Sequence, residues 1–245
     1  MRILVFQHLC VEHPGRLRDL WRARGLSWDT VALDEGEPIP DLATYDLLVA
    51  MGGPMDVWEE HAHPWLAPEK AAIRRFVVDL GRPFLGICLG HQLLAEALGG
   101  AVSPARRPEV GLVPVDLSPA GRADPLLRGL DTPLETFQWH SSEVSRLPEG
   151  AVVLAGNEAC AVQAMRWGRH AWGLQFHVEI TADTVPEWRD IPAYAAALDT
   201  ALGRDAAARL ETDARDRLPA FAATARRLEA NLHAIVDRAR LAEIP

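Results

Sequence analysis

The stretch Phe84-Leu85-Gly86-Ile87-Cys88-Leu89-Gly90-His91-Gln92 decides the fold. Its first residues form an apolar run of strand length, and a helical pattern opens just after Cys88. A chain that passes from buried strand to helix within one residue must turn sharply. The residue at the apex is then held in a strained backbone conformation, with its side chain pushed into a cleft. Gly86 and Gly90 flank the cysteine two residues either side, where the missing Cβ lets strand and helix pack closely. A thiol at that apex sits beside the helix N-terminus, whose partial positive charge favours thiolate. The stretch therefore predicts a nucleophile at the carboxyl end of a buried strand.

The surrounding pattern supplies the rest of the fold. Residues 3–7 are a short β-rich run, 15–24 carry Leu17, Leu20 and Trp21 at helical spacing, and a strand is expected near 28–33. Tyr45 to Met51 is a second buried-strand run and ends at Gly52-Gly53-Pro54. A helix is expected over 67–80, then the strand at 83–88 and a helix over 91–98. Strands alternating with helices predict an α/β three-layer sandwich with a mainly parallel central sheet. Sites in such folds gather outside the carboxyl ends of the strands, where both Gly52-Gly53-Pro54 and Cys88 fall.

Between about 101 and 176 the character changes. Short runs at 109–115, 151–155, 160–166 and 171–176, broken by Pro, Gly and Asp, predict an antiparallel addition to the sheet. After Thr181 the pattern is helical. Leu218, Phe221, Ala225, Leu228, Leu232, Ile235 and Ala239 step by three and four along one apolar stripe, with arginines 226, 227, 238 and 240 off it. The expected organisation is one α/β domain over 1–190 and a helical extension over 191–245 packed on it. The stripe also fits a dimer seam, so the oligomeric state stays open.

Composition narrows the function classes. The chain has 245 residues, 49% of them hydrophobic, which suits a packed core rather than disorder. A net charge of −9 argues against a nucleic-acid partner. No apolar run reaches membrane-spanning length, and Met1 to Phe6 reads as a first strand rather than a leader. The three cysteines, Cys10, Cys88 and Cys160, are too few and scattered for a disulfide framework or a cysteine-based zinc site, which fits a cytoplasmic protein. Cys10 and Cys160 read as inert. His61 and His63 resemble half a metal site but read as a solvated loop, so no metal and no cofactor is expected. His8 and His13 could line the carboxyl end of the first strand, but they read rather as loop or surface residues.

A nucleophilic thiol needs a base, and the base needs an orienting carboxylate. Gly173-Leu174-Gln175-Phe176-His177-Val178-Glu179 supplies both. Side chains two apart on an extended chain face the same way, so His177 and Glu179 point together and Val178 points away. An acyl-transfer oxyanion also needs donors. The backbone N–H of Leu89, just after the nucleophile, is one. The second is expected from Gly53 or Gly52, since Pro54 has no N–H.

Taken together and in order, Gly52-Gly53-Pro54, the Gly86 to Gln92 turn and Gln175-Phe176-His177-x-Glu179 resemble the class I glutamine amidotransferases, in particular the glutaminase domain of GMP synthase and its stand-alone relatives. The resemblance covers residues 1–180 roughly. It implies a flavodoxin-like sheet and thiol attack on the glutamine side-chain amide, with ammonia released and a γ-glutamyl thioester hydrolysed. Cys88 is then the nucleophile, His177 the base and acid, and Glu179 the orienter. Gln92 looks like the family's glutamine-contacting residue. Trp139-His140-Ser141-Ser142 resembles the segment that holds the substrate's α-amino and carboxylate groups, which makes Gly52, Gln92, His140 and Ser141 the expected substrate-binding residues. Two positions depart from the family pattern. Val178 stands where proline is usual, and Ser141-Ser142 stand where Gly-Asp is usual, so the backbone of that segment is expected to differ.

The chain has neither a Ser-Gly-Gly-x-Asp-Ser pyrophosphatase motif nor a Gly-x-x-x-x-Gly-Lys-Ser/Thr loop with which to activate an acceptor. The leading expectation is a glutaminase that feeds a partner synthetase. The rivals are a γ-glutamyl amide or peptide hydrolase and a regulatory module that does no chemistry alone.

Overall fold

The computed structural model describes residues 1–242, in backbone only over 204–208. The first part alternates as its apolar runs require: β1 (Ile3–Gln7), α1 (Arg16–Ala23), β2 (Trp28–Ala32), β3 (Leu47–Ala50), α2 (Leu66–Arg74), β4 (Phe84–Ile87) and α3 (Leu89–Ala97). Then come β5 (Ala101–Leu112), β6 (Asp116–Leu117), α4 (Pro119–Ala123), β7 (Phe137–Arg146), β8 (Ala151–Gly156), β9 (Ala164–Trp167) and β10 (Ala171–Leu174). Three helices follow, α5 (Thr184–Arg189), α6 (Pro192–Leu202) and α7 (Arg204–Ala242). None of the described helices is long and apolar enough to cross a membrane.

The main sheet runs β2-β1-β3-β4-β10-β9-β8-β6. The pairs from β2 through β10 are parallel, and those from β10 to β6 are antiparallel. The parallel part has the doubly wound order with its switch point beside β1, so a crevice opens at the carboxyl ends of β1, β3, β4 and β10. Both faces are covered, which explains the unbroken apolar runs. On one face Ile3 and Val5 meet Leu17 and Trp21 of α1 and Phe221, Leu228 and Val236 of α7. On the other, Leu4 and Phe6 meet Ile73 of α2, Phe76 and Leu93 of α3. Burial of each large side chain in these layers stabilises by about 1.5–3 kcal/mol.

The region after residue 100 departs from expectation. Only β6, β8 and β9 extend the sheet antiparallel, while β5 and β7 pair with each other as a separate ribbon. The strand at 171–174 is not part of that addition; it joins β4 in parallel and completes the doubly wound half. Trp139 to Ser142, expected as a substrate loop, lies inside β7. The helix expected at 91 begins at Leu89, and the one expected to reach residue 80 is α-helical only to Arg74 before a π-wound turn over Arg75–Asp79. The apolar stripe of α7 lies against Leu17, Leu85, Ile87 and Leu174 of the same chain, with arginines 226, 227, 238 and 240 off the buried face. Glu229 beside that stripe is buried and takes a hydrogen bond from Arg24 Nε at 2.9 Å. Residues 243–245 of the expected extension lie outside the described residues.

Candidate active site

The site begins at the turn between β4 and α3. Cys88 has φ 51° and ψ −104°, the one positive φ outside glycine among the described residues. Its N–H donates to Leu174 O at 2.8 Å, and Gly90 N–H donates to Met51 O at 3.0 Å, so the apex is tied to β10 and to the exit of β3. A Cβ on Gly86 would stand 2.3 Å from Gly90 O, and one on Gly90 would stand 2.1 Å from Ala50 O. Both contacts are with backbone, which cannot rotate away. Glycine at these positions is therefore what allows α3 to start so close to the sheet.

His177 follows β10, but the chain there is no longer a strand. It is held by a bridge to the first residue of β7, with His177 N–H donating to Phe137 O at 2.8 Å and Phe137 N–H to His177 O at 3.0 Å. His177 Nδ1 hydrogen-bonds Glu179 Oε1 at 2.7 Å, and the ring lies near enough to Cys88 for the two to interact electrostatically, while the Cys88 Sγ–H is directed at Trp139 O at 3.9 Å. Glu179 takes a further bond from Val178 N–H at 2.9 Å. Its own carbonyl receives Arg16 N–H at 2.7 Å, next to Gly15, whose φ of 46° accommodates the close approach. Val178 packs into the apolar layer, away from the thiol. Burial disfavours the His177 imidazolium, yet the Glu179 charge and hydrogen bond, with the nearby Cys88 thiol, outweigh it and raise its pKa well above the ordinary histidine value. For Glu179 burial pushes upward, but the His177 charge and the hydrogen bonds prevail and lower its pKa. Trp188 sets its ring edge-on to His177 at 4.8 Å between centroids.

The loop after β3 lies across from this turn. A Cβ on Gly53 would be 2.8 Å from Leu89 Cδ2 and 3.1 Å from His8 Cβ, so Gly53 and Leu89 adjoin. The Leu89 N–H, at the first position of α3, has no acceptor within its own helix. Beneath the loop lies a buried polar layer. His8 Nδ1 donates to Gly52 O at 2.8 Å, and its Nε2 meets Glu69 Oε1 at 2.8 Å. Burial opposes a charged His8, but Glu69 and the Gly52 carbonyl outweigh it and raise its pKa. Glu12 is also buried and takes a hydrogen bond from the Tyr194 hydroxyl. A side chain on Gly52 would run into its Oε2 at 2.5 Å. Burial raises the Glu12 pKa. His8, expected at the surface, is thus fully buried and supports the glycine loop.

A cavity of about 100 Å³ opens over Cys88, walled by Gly53, Asp56, Gln92, Ser141 and Tyr194. Gln92 Nε2 donates to Ser142 O at 3.0 Å and to Gln175 Oε1 at 3.1 Å, which sets its amide toward β7. His140 Nδ1 donates to the same Ser142 carbonyl at 3.0 Å. The Ser142 hydroxyl donates to Asp56 Oδ1 at 2.6 Å, so Asp56 brings a carboxylate to the segment whose family pattern has one in sequence. Of the expected residues, Gly53, Cys88, Gln92, His140 and Ser141 line this cavity, and Gly52 lies behind it. Sequence reasoning raised His8 at the carboxyl end of the first strand but preferred a loop or surface role, and it did not find Glu12, Glu69, Trp188, Tyr194 or Asp56. Glu12 had a usable signal, since it too follows the carboxyl end of β1, just as Gly52 and Cys88 follow β3 and β4. Tyr194 had none, being brought in by α6 from far along the chain. His61 is exposed and His63 leans on Trp65 at 5.7 Å between ring centroids; neither reaches the cavity.

A positive-φ cysteine beside a histidine that is hydrogen-bonded to a carboxylate is an arrangement suited to nucleophilic acyl transfer. The model of the glutamine amidotransferase class-I family matches residues 16–186, and the chain belongs to that family of cysteine amidohydrolases. It is 33% identical over 196 residues to the glutamine amidotransferase-like protein YfeJ of Salmonella typhimurium, covering 76% of this chain and 78% of that one. It is 38% identical over 156 residues to a glutamine-hydrolyzing GMP synthase subunit of Sulfolobus acidocaldarius, covering 63% of this chain and 78% of that one. Among solved structures, a glutamine amidotransferase from Thermotoga maritima superposes with a TM-score of 0.84 at 30% identity, over 97% of this chain and 98% of that one.

Proposed function

We propose that the protein hydrolyses the side-chain amide of glutamine through a Cys88 thioester and releases ammonia. The observation that supports this best is the grouping of the positive-φ Cys88 at the head of α3 with the His177 ring, which is itself hydrogen-bonded to Glu179 at 2.7 Å. In this reading the Cys88 sulfur attacks the amide carbon, and the oxygen takes negative charge facing the N–H groups of Leu89 and Gly53. Charge collapse breaks the C–N bond as His177 gives its proton to the leaving nitrogen, and ammonia departs. His177 then takes a proton from water, whose oxygen attacks the thioester. The thiolate leaves, glutamate is formed, and His177 is again protonated beside Cys88. Glu179 keeps the ring oriented and its positive charge stabilised. Gln92 and the backbone of His140 and Ser141, which line the cavity, hold the amino-acid end of the substrate.

We infer that the ammonia passes to a synthetase partner, because relatives include GMP synthase subunits that are separate chains. The setting we expect is cytoplasmic. Ammonia release from glutamine, followed alone and with candidate synthetases, tests the reading, beside labelling of Cys88 by a diazoketone analogue of glutamine. Labelling that needs Cys88 and turnover that stops in Cys88→Ala support it. Turnover of other γ-glutamyl amides but not glutamine would replace it with the hydrolase reading, and absence of labelling with or without a partner would leave only a binding module.

A further inference from the structure

A second constellation lies behind the substrate strand. Glu109 of β5 and His140 of β7 are register partners across the ribbon. Cys160, in the loop from β8 to β9, completes the group, and the three ligand atoms lie within 4.8 Å of one another. All three residues are buried, at 6%, 4% and 1% exposure. We propose that Glu109, His140 and Cys160 form a buried zinc site with three protein ligands and a fourth position left for water.

The hydrogen bonding around each residue supports the assignment. A carbonyl only accepts, so the bond from His140 to Ser142 O at 3.0 Å puts the ring proton on Nδ1. His140 Nε2 makes no hydrogen bond although it is buried. It faces Glu109 Oε2 at 3.2 Å. Nitrogen and carboxylate oxygen thus face each other with no hydrogen bond formed between them, an arrangement that a proton or a metal ion between them would relieve. Nitrogen and oxygen bound to one tetrahedral zinc stand about 3.3 Å apart. Glu109 is oriented by two amides, Asn157 Nδ2 on Oε1 at 2.7 Å and Gln163 Nε2 on Oε2 at 2.8 Å. A histidine anchored on a backbone carbonyl and a carboxylate steadied by amides are the outer partners that metal ligands usually have. Cys160 is a free, buried thiol whose sulfur lies in the same cluster as Glu109 and His140. A bound metal replaces the thiol proton with a metal–sulfur bond, and the proton leaves to solvent. Sulfur, imidazole and carboxylate together suit zinc better than magnesium or calcium. Because Ser141 and Ser142 follow His140 directly, the metal would brace the strand that lines the substrate cavity.

Cobalt(II) and zinc(II) titration of the full-length protein tests this independently of catalysis. The expected result is one equivalent bound, with a sulfur-to-cobalt charge-transfer band that persists in Cys88→Ser and is lost in Cys160→Ser. Glu109→Gln, checked for folding by circular dichroism, should weaken zinc binding at least tenfold while keeping the band. A folded wild-type protein that binds neither ion overturns the site. So does a band that survives in Cys160→Ser but vanishes in Cys88→Ser, because the catalytic thiol would then be the ligand.

Discussion

The two walls of the cleft are built in different ways. One wall is the carboxyl edge of the parallel sheet, where Gly53 and Cys88 each follow closely on a buried strand. The other is β7 and α6, where Ser141 and Tyr194 arrive on elements with no role in the parallel half. The first wall is rigid because two glycines permit backbone-to-backbone contact and the apex is bonded to strands on either side. The second is held by side chains: Gln92 on Ser142, Ser142 on Asp56, Tyr194 on Glu12. We propose that reactivity belongs to the first wall and substrate fit to the second, so changes to the two should separate in kcat and KM.

The largest effect is expected at the rigid wall. Cys88→Ala should lower glutamine turnover by at least about a thousandfold with the fold retained, measured as ammonia release beside circular dichroism. Glu179→Gln should reduce kcat by about a hundredfold and move the alkaline limb of the rate profile to lower pH, since the raised His177 pKa depends on that charge.

The same pair links stability to pH. Glu179 is lowered in the fold, so its contribution is present above the unfolded carboxylate value and lost as pH falls through the folded one. His177 is raised, so its contribution is present below the unfolded imidazole value and lost as pH rises through the folded one. In denaturant unfolding, the stability gap between wild type and Glu179→Gln should therefore be open at neutral pH and close in acid.

Gly90→Ala should cost about 1–3 kcal/mol or more in the same assay, because its Cβ meets the Ala50 carbonyl. At the second wall, Tyr194→Ala should raise KM for glutamine about tenfold with a smaller change in kcat. A kcat loss as large as that of Glu179→Gln would erase the distinction between the walls. Ser142→Ala should change KM by no more than about threefold, since the Asp56 contact it removes is partly solvated.

The two stretches 1–190 and 191–245 we propose to be one folding unit, because α7 covers the part of the sheet face beside α1 that α1 leaves open. A chain ending at residue 190 should then be unfolded or aggregated; a cooperative unfolding transition in it would refute this.

What could be read from residue order was whatever a few neighbouring positions impose on one another. Gly86, Cys88 and Gly90 compel a tight turn wherever they are placed between a strand and a helix, and His177 and Glu179 share a side through the period of an extended chain. The apolar runs of β1, β3 and β4 identify themselves because both faces of a parallel sheet are covered. The fate of Trp139 to Ser142 could not be read this way. Whether that polar segment is a loop or a strand depends on β5 being present to pair with it. The burial of His8 and Glu12 was equally hidden, since polar residues enter an interior only where Glu69 and Tyr194 wait to satisfy them. Glu109, His140 and Cys160 share no spacing motif; a strand pairing and a loop from the far edge of the sheet bring them together. Short-range sterics are written along the chain, whereas the partners of a buried polar group exist only after the chain has closed on itself.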